Sequence, residues 1–403
     1  EVKGKNLSII FDGTTRDGEA LAVLVRFVNN WELKSRLVRF QLIQSSVNGD
    51  ELARVVIEVL HRKLDVSQNN LLAAMRDRAS VNTKALATVS VLYPDMLDVG
   101  CISHFLDRVG VKSDTPVLSP FMSSWNLIFT TSMRARRVWM QLTGKAMPRY
   151  NSTRWWSLWE CAKVVFEEWR HIPVFLANND EFAKKTRQKL AQALAEDQIQ
   201  LRVELAALME LEKFVQATYT LEGDGTLVFV AFEKLEELKE YIRVHNFPTL
   251  VHVIQELFPV NYGDRQRWYQ YGVRECLKPA FEYYTETVAN DPIVSRSISV
   301  FRAARLFNPK FVKVSRPVAT DIDSIEDVPF LNDAGVIQSL KDELPAYLVK
   351  AADIRNDFDV LEDTWQWWKT TSTDLPSWSA AVKKLVLVQP SSAAAERVFS
   401  LLV

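Results

Sequence analysis

Leu7-Ser-Ile-Ile-Phe-Asp12-Gly-Thr-Thr-Arg-Asp-Gly18 reads as a buried strand that runs into an acidic residue and then a turn. Leu7 to Phe11 is a short, nearly continuous apolar run with two isoleucines, the pattern of a strand in a core. The Asp17-Gly18 pair is a turn signal, and Leu21 to Val28 is again rich in valine and leucine. A third run, Leu37 to Ile43, follows the turn Asn29-Asn30, so two hairpins in series make a three-stranded antiparallel meander. The period then changes. Leu52, Val55, Val56, Val59, Leu60 and Leu64 recur at helical spacing behind Asn48-Gly49-Asp50. Asn70 to Met75 fits a fourth strand with Asp77 just past its end, Ser80 to Leu92 a helix, and Met96 to Gly100 a short fifth strand.

Three antiparallel strands, a helix, a strand, a helix and a strand predict a mixed α/β sheet with helices on its faces. That order is the ribonuclease H-like arrangement. From Ser113 onward the patterns are helical: Pro120 to Leu142, Thr153 to Trp169, Asp180 to Ala217, Phe232 to Val244, Pro248 to Phe258 and Arg265 to Asn290. Leu221 to Thr226 reads as a turn and Asp321 to Asp327 as an acidic loop. Strand-like runs resume only near the C-terminus. The expected organisation is therefore a five-stranded ribonuclease H-like domain (1–159 and 361–403) interrupted by a large all-α insertion (160–360).

A chain of 403 residues exceeds the usual span of one core, which agrees with an inserted architecture. With 48% apolar residues, disorder is excluded as the dominant state. No apolar run reaches the roughly 18–20 residues a membrane span needs, and Glu-Val-Lys-Gly-Lys at the N-terminus is no signal peptide. The chain reads as soluble, intracellular and cut from a longer protein. Cys101, Cys161 and Cys276 lie too far apart for a dense disulfide framework and are expected as free thiols. The net charge of −1 exerts no overall pull on nucleic acid. Thr115 to Trp159 nevertheless contains no Asp or Glu, while Arg134, Arg136, Arg137, Lys145, Arg149 and Arg154 fall inside it.

Near the end, Pro390-Ser-Ser-Ala-Ala-Ala-Glu396-Arg-Val-Phe-Ser400 opens a short apolar helix with Ser391 or Ser392 as N-cap. Glu396 shares its face with Phe399, Ser400 and Val403, which puts the carboxylate beside packed side chains. Its plainer role would be to complement the helix dipole.

Taken in order, these residues resemble the catalytic region of hAT (hobo/Activator) transposases. The resemblance runs through Phe11-Asp12-Gly-Thr-Thr, Arg76-Asp77-Arg-Ala-Ser-Val-Asn82, Cys101-Ile-Ser-His104 and Thr153-Arg-Trp-Trp-Ser157. It continues in Leu306-Phe-Asn-Pro-Lys-Phe311, Trp367-Trp368 and Ser391 to Ser400. Thr14, Asn308 and Ala395 depart from the family's usual Trp, Asp and Ser, and none of these touches the acidic residues.

The resemblance implies an Asp12, Asp77 and Glu396 triad that holds two Mg2+ or Mn2+ ions for DNA strand cleavage and transfer. Converging carboxylates suit that chemistry, because metal-assisted phosphodiester cleavage needs oxygen ligands and magnesium keeps several of its waters. His104 is expected by the active site, on DNA or the scissile phosphate. Trp155 would offer a stacking face for an extruded base and Arg154 a phosphate contact, with Arg134, Arg136 and Arg137 along the backbone. Cys101 and His104, one helical turn apart, also match a zinc spacing, but no second pair stands nearby to complete four ligands. Expected partners are transposon-end and target DNA and further copies of the chain through the C-terminal region, with no membrane and a nuclear location. The competing reading is a domesticated, transposase-derived protein that binds DNA or dimerises without transposing.

Overall fold

A computed structural model describes residues 2–14, 19–43, 48–151, 153–178 and 182–400. The Asp17-Gly18 turn and Val403 lie outside the described residues. The protein is mixed α/β. Strands β1 (Leu7–Thr14), β2 (Glu19–Asn29), β3 (Glu32–Ile43), β4 (Leu71–Arg76) and β5 (Leu97–Gly100) form one sheet in the order β3-β2-β1-β4-β5. The first three pair antiparallel, whereas β4 runs parallel to both β1 and β5.

The second hairpin turns at Asn30 and Trp31, one residue later than the expected Asn29-Asn30. Their φ angles are 48° and 64°, as a two-residue turn between right-twisted strands requires. Asn tolerates that conformation and Trp does so rarely. Trp31 is held from the C-terminal part of the chain, where Trp365 Nε1–H donates to its carbonyl at 2.7 Å and Lys383 Nζ stands 4.2 Å from its ring centroid. On the outer strand, Arg39 pairs with Val23 and Leu37 with Leu24, so Val38 bulges out, and Lys63 Nζ donates to its carbonyl. A bulge and nearby cations blunt a long sheet edge that would otherwise template another strand.

Alternation decides the two faces of the sheet. Leu7, Ile9 and Phe11 of β1 and Val23, Val25 and Phe27 of β2 pack with Leu52 and Val56 of helix α1 (Gly49–Glu58) and Leu86 and Val89 of α2 (Ser80–Leu92). Asn48 caps α1, its side chain accepting from the Asp50 and Glu51 amides. The opposite face carries Ser8, Asp12 and Arg26. Ser8 Oγ donates to Leu387 O at 2.6 Å. Arg26 Nε donates to Val386 O at 3.2 Å and Nη2 to Gly225 O at 2.6 Å. Burial pulls the Arg26 guanidinium down to about 9, with Asp224 pulling the other way. The buried cation therefore acts as a staple between the sheet, the 223–226 turn and the segment before the last helix. Arg26→Ala removes the staple and leaves a cavity and a bare carbonyl, so urea unfolding is expected to show a loss of about 2–3 kcal/mol. Arg26→Met, which fills the space, should lose markedly less, and equal losses would mean that the hydrogen bonds rather than volume set the effect.

Among the described residues no strand follows β5. The expected Pro120–Leu142 helix is two helices, Leu118–Thr131 and Met133–Thr143, broken at Ser132, which caps the second. Asp180 to Ala217 likewise resolves into Lys184–Glu196, Gln198–Met209 and Glu212–Glu222. Asp321 to Asp327, expected as a loop, belongs to a 3-10 helix, Ala319–Asp327, that buries Ile322 and Ile325. Strand-like runs, expected to resume near the C-terminus, do not do so among the described residues, and Val382 to Val388 finishes helix Pro376–Leu385 and the turn beyond it. Asn308 caps helix Pro309–Ser315 by accepting from the Lys310 and Phe311 amides, so Asn serves here where the resembling motif has Asp. No described helix is long and apolar enough to cross a membrane, and all three cysteines are buried free thiols.

The chain divides into two compact units, neither bounded at 160 or 360. The first comprises Glu1–His104, Ala217–Glu237 and Thr287–Val403 and contains the sheet. The second, Phe105–Gln216 and Leu238–Glu286, is helical. Within the second, Glu204 is fully buried and accepts from the Val117 and Leu118 amides and from Tyr271 Oη and Gln200 Nε2, so a carboxylate from one helix closes the start of another.

Candidate active site

The parallel pairing of β1 and β4 brings the two aspartates together. Ile10 pairs with Met75; two residues on, Asp12 lies within β1, which continues to Thr14 instead of ending at Asp12, and Asp77 lies just past the end of β4. Asp12 is 6% exposed and accepts the Gly13 amide at 2.8 Å. Burial first, and then the charge of Asp77, push the Asp12 carboxyl up to about 7, while His104 and the Gly13 amide act in the opposite direction. Asp77 is half-buried at the start of α2. Its Oδ1 accepts the Ala79 amide at 2.9 Å and the Asn82 side-chain amide. Asp77 is thus a turn residue and a member of the acidic pair at once, which its sequence position alone left open.

Two residues that sequence reasoning missed hold it there. Arg76 is 1% exposed, pairs with Asp98 on β5 at 2.8 Å and donates to the Asp77 carbonyl at 2.9 Å. Asn82, buried on the first turn of α2, supplies the side-chain donor. The signal for both was adjacency to Asp77 in the quoted motif.

Helix α3 (Ile102–Val111) begins directly after β5 and carries His104 on its first turn. The closing helix runs from Ala393 to Ser400, directly after the two serines expected at its N-cap, and Ser391 Oγ accepts the Ala393 amide at 3.0 Å. It packs on β1, the strand that carries Asp12, and on β2, with Phe399 against Phe40 of β3. Glu396 Oε1 stands 3.6 Å from His104 Nε2, both side chains one-quarter exposed. Asp12 is thus within electrostatic reach of Asp77 and His104, and His104 stands beside Glu396. Among the described residues no group of three or more His, Cys, Asp or Glu side chains is arranged to hold a metal ion.

The Asp12 and Asp77 pair still fits an oxygen-liganded divalent cation in its chemistry. Magnesium keeps several waters and needs only one or two carboxylates, and a cation between two acids that repel would relieve the repulsion raising Asp12. Close to His104 in the chain, Cys101 is fully buried. Burial pushes its thiol up, but the charge of His104 and hydrogen bonds with His104, Ser103 and Ser392 outweigh that and hold it well below the usual range.

In the helical unit the expected DNA contacts separate. Arg134, Arg136 and Arg137 are exposed on helix Met133–Thr143, although Arg136 Nε is tied to Phe129 O at 2.6 Å. Arg154 and Trp155 are each 8% exposed. The Trp155 ring lies against Gly110 so closely that a Cβ there would meet it at 2.1 Å. In this conformation Trp155 presents no open stacking face and Arg154 no free edge, because tertiary packing has claimed both. Compared with protein-family profiles and with curated proteins, the chain matches none of either.

Proposed function

We propose that this chain is the catalytic region of a hAT-type DNA transposase, with a ribonuclease H-like sheet, that cleaves and transfers DNA strands using Asp12, Asp77 and Glu396. The observation that carries the reading is the placement of Asp12 within β1 and Asp77 just past the end of the adjacent parallel strand β4, near enough for the charge of Asp77 to help raise the Asp12 pKa. Asp12 and Asp77 would hold Mg2+ or Mn2+. Bound there, two such ions supply an activated water and charge stabilisation of the leaving oxygen. Asp77 is oriented for this role by Arg76 and Asn82, and Asp12 by the Gly13 amide. His104 faces Asp12 and Glu396 and can donate to a phosphate oxygen, with Glu396 fixing the imidazole. Arg134, Arg136 and Arg137 contribute sequence-independent contacts to the DNA backbone. Trp155 joins as a stacking platform only if it leaves Gly110. Transposon-end and target DNA, self-association through the C-terminal region and a nuclear location complete the reading.

A second reading, a transposase-derived protein that binds DNA without cutting it, is favoured by one observation: Glu396 pairs with His104, and no three-ligand group is formed among the described residues. Incubating the full chain with linear duplex DNA in Mg2+ or Mn2+ tests both. Strand breaks and hairpin ends that vanish with a chelator support the first reading. Binding with no cleavage in either metal overturns it and leaves the second.

A further inference from the structure

We infer that Cys101 is a positioning residue, the node of a buried clamp that locks the start of the closing helix, and with it Glu396, against the start of α3, which carries His104. The catalytic consequence rests on the function proposed above. The clamp itself does not.

The two segments involved, around Cys101 and Ser391, are 288 or more positions apart in sequence, yet they form one closed network. Cys101 Sγ and Ser103 Oγ share a hydrogen bond at 3.1 Å, Ser103 Oγ and Ser391 Oγ another at 2.9 Å, and Sγ lies 3.7 Å from Ser391 Oγ. The Ser392 amide donates to Sγ at 3.3 Å, and the Ala393 amide to Ser391 Oγ at 3.0 Å. Two of the amides at the start of the closing helix, which have no partner inside a helix, are therefore satisfied by this network. The backbone repeats the join, since the Ile102 amide donates to Pro390 O at 2.7 Å. Cys101 is also anchored on its other side, its amide donating to Arg76 O at 2.8 Å, next to Asp77.

Cys101, Ser103 and Ser392 are fully buried and Ser391 is 5% exposed, so no water competes for these bonds. Polar groups in such a place are costly unless paired, and the side chains of Cys101, Ser103 and Ser391, kept together with the Ser392 amide, define one register. A core built for packing alone would put apolar side chains here. What this network adds is a fixed rotation and height for an eight-residue helix, and Glu396 sits one turn into it. Arg397 holds the same helix from outside, through Glu222 O at 2.7 Å and Asp224 Oδ1 at 2.6 Å, so loss of the clamp loosens the helix without releasing it.

Amide hydrogen exchange on the full chain tests the clamp in wild type, Cys101→Ala, Cys101→Ser and Ser103→Ala. Amides of the closing helix are expected to exchange about tenfold faster in Cys101→Ala and Ser103→Ala, with those of β1 and β4 unchanged. Cys101→Ser should recover most of the protection, because its hydroxyl can accept the Ser392 amide and bond to Ser103. Unchanged exchange in the closing helix overturns the clamp. So does an equal rise across β1, β4 and the helix, which marks a general loss of stability. Where wild type cleaves DNA, the loosened variants should lose kcat at constant KM, and an unchanged kcat overturns the positioning role. A wild type that never cleaves DNA sinks the proposed function, and the exchange result still decides the clamp.

Discussion

Asp12→Asn is expected to stabilise the folded chain by about 4 kcal/mol at pH 8 in chelator-containing buffer and to leave it unchanged near pH 3. The Asp12 carboxyl rises from its usual 3.8 to about 7 because it is buried and faces Asp77. Between those values the folded chain keeps a proton that the unfolded chain releases. Stability therefore falls as pH rises from about 4 to about 7, and ionised Asp12 strains the fold above that range. Asparagine resembles the protonated acid in shape and charge, so the variant escapes this loss. Urea unfolding of both proteins at several pH values reads the difference directly. A gain that does not vary with pH would mean that Asp12 ionises normally and that its pairing with Asp77 is too weak to matter. Added Mg2+ should narrow the gap at pH 8, since a cation on the pair favours the ionised wild type.

Much of the sheet was readable before any coordinates. Apolar runs ending in turn residues located β1, β2, β4 and β5, and the shift to helical spacing located α1 and α2, because each of these segments buries apolar side chains in a regular local pattern. Asp77 followed, since a strand's end fixes where its next residue stands, whereas Asp12, read as the end of its strand, lies within β1 two residues before Thr14. What could not be read depends on contacts between distant segments. The closing helix meets β2 and β1, and its start is tied to Cys101 and Ser103 by hydroxyl bonds that leave no trace in periodicity. The same holds for Trp155, whose aromatic face suits base stacking equally well whether it is open or, as here, laid on Gly110. An arginine such as Arg26 or Arg154 reads as a surface charge until its surroundings are known, and both are buried.

Replacing Asp77 by Ala is expected to reduce metal-dependent strand cleavage at least about a thousandfold while leaving the fold nearly intact. A carboxylate that anchors catalytic ions contributes several kcal/mol to the transition state, and about 4 kcal/mol corresponds to that factor. The cost to the fold is small because two effects oppose each other. The variant loses the acceptor for the Ala79 amide and Asn82, about 1 kcal/mol for a lost helix-start contact, but it also frees Asp12 from a like charge. Glu396→Ala acts differently. It removes the partner of His104 at 3.6 Å and leaves the Asp12 and Asp77 pair in place, so it should lower cleavage while changing the pH dependence of Asp12 little. If the three acids work as one unit, the Asp77→Ala, Glu396→Ala double variant will be hardly slower than Asp77→Ala alone. Single-turnover cleavage by the full chain, with Mn2+ binding followed in parallel by calorimetry, separates lost chemistry from lost metal. Cleavage by Asp77→Ala at the wild-type rate would remove the acidic pair from the chemistry altogether, and the DNA-binding reading would then be the one that accounts for the exposed arginines.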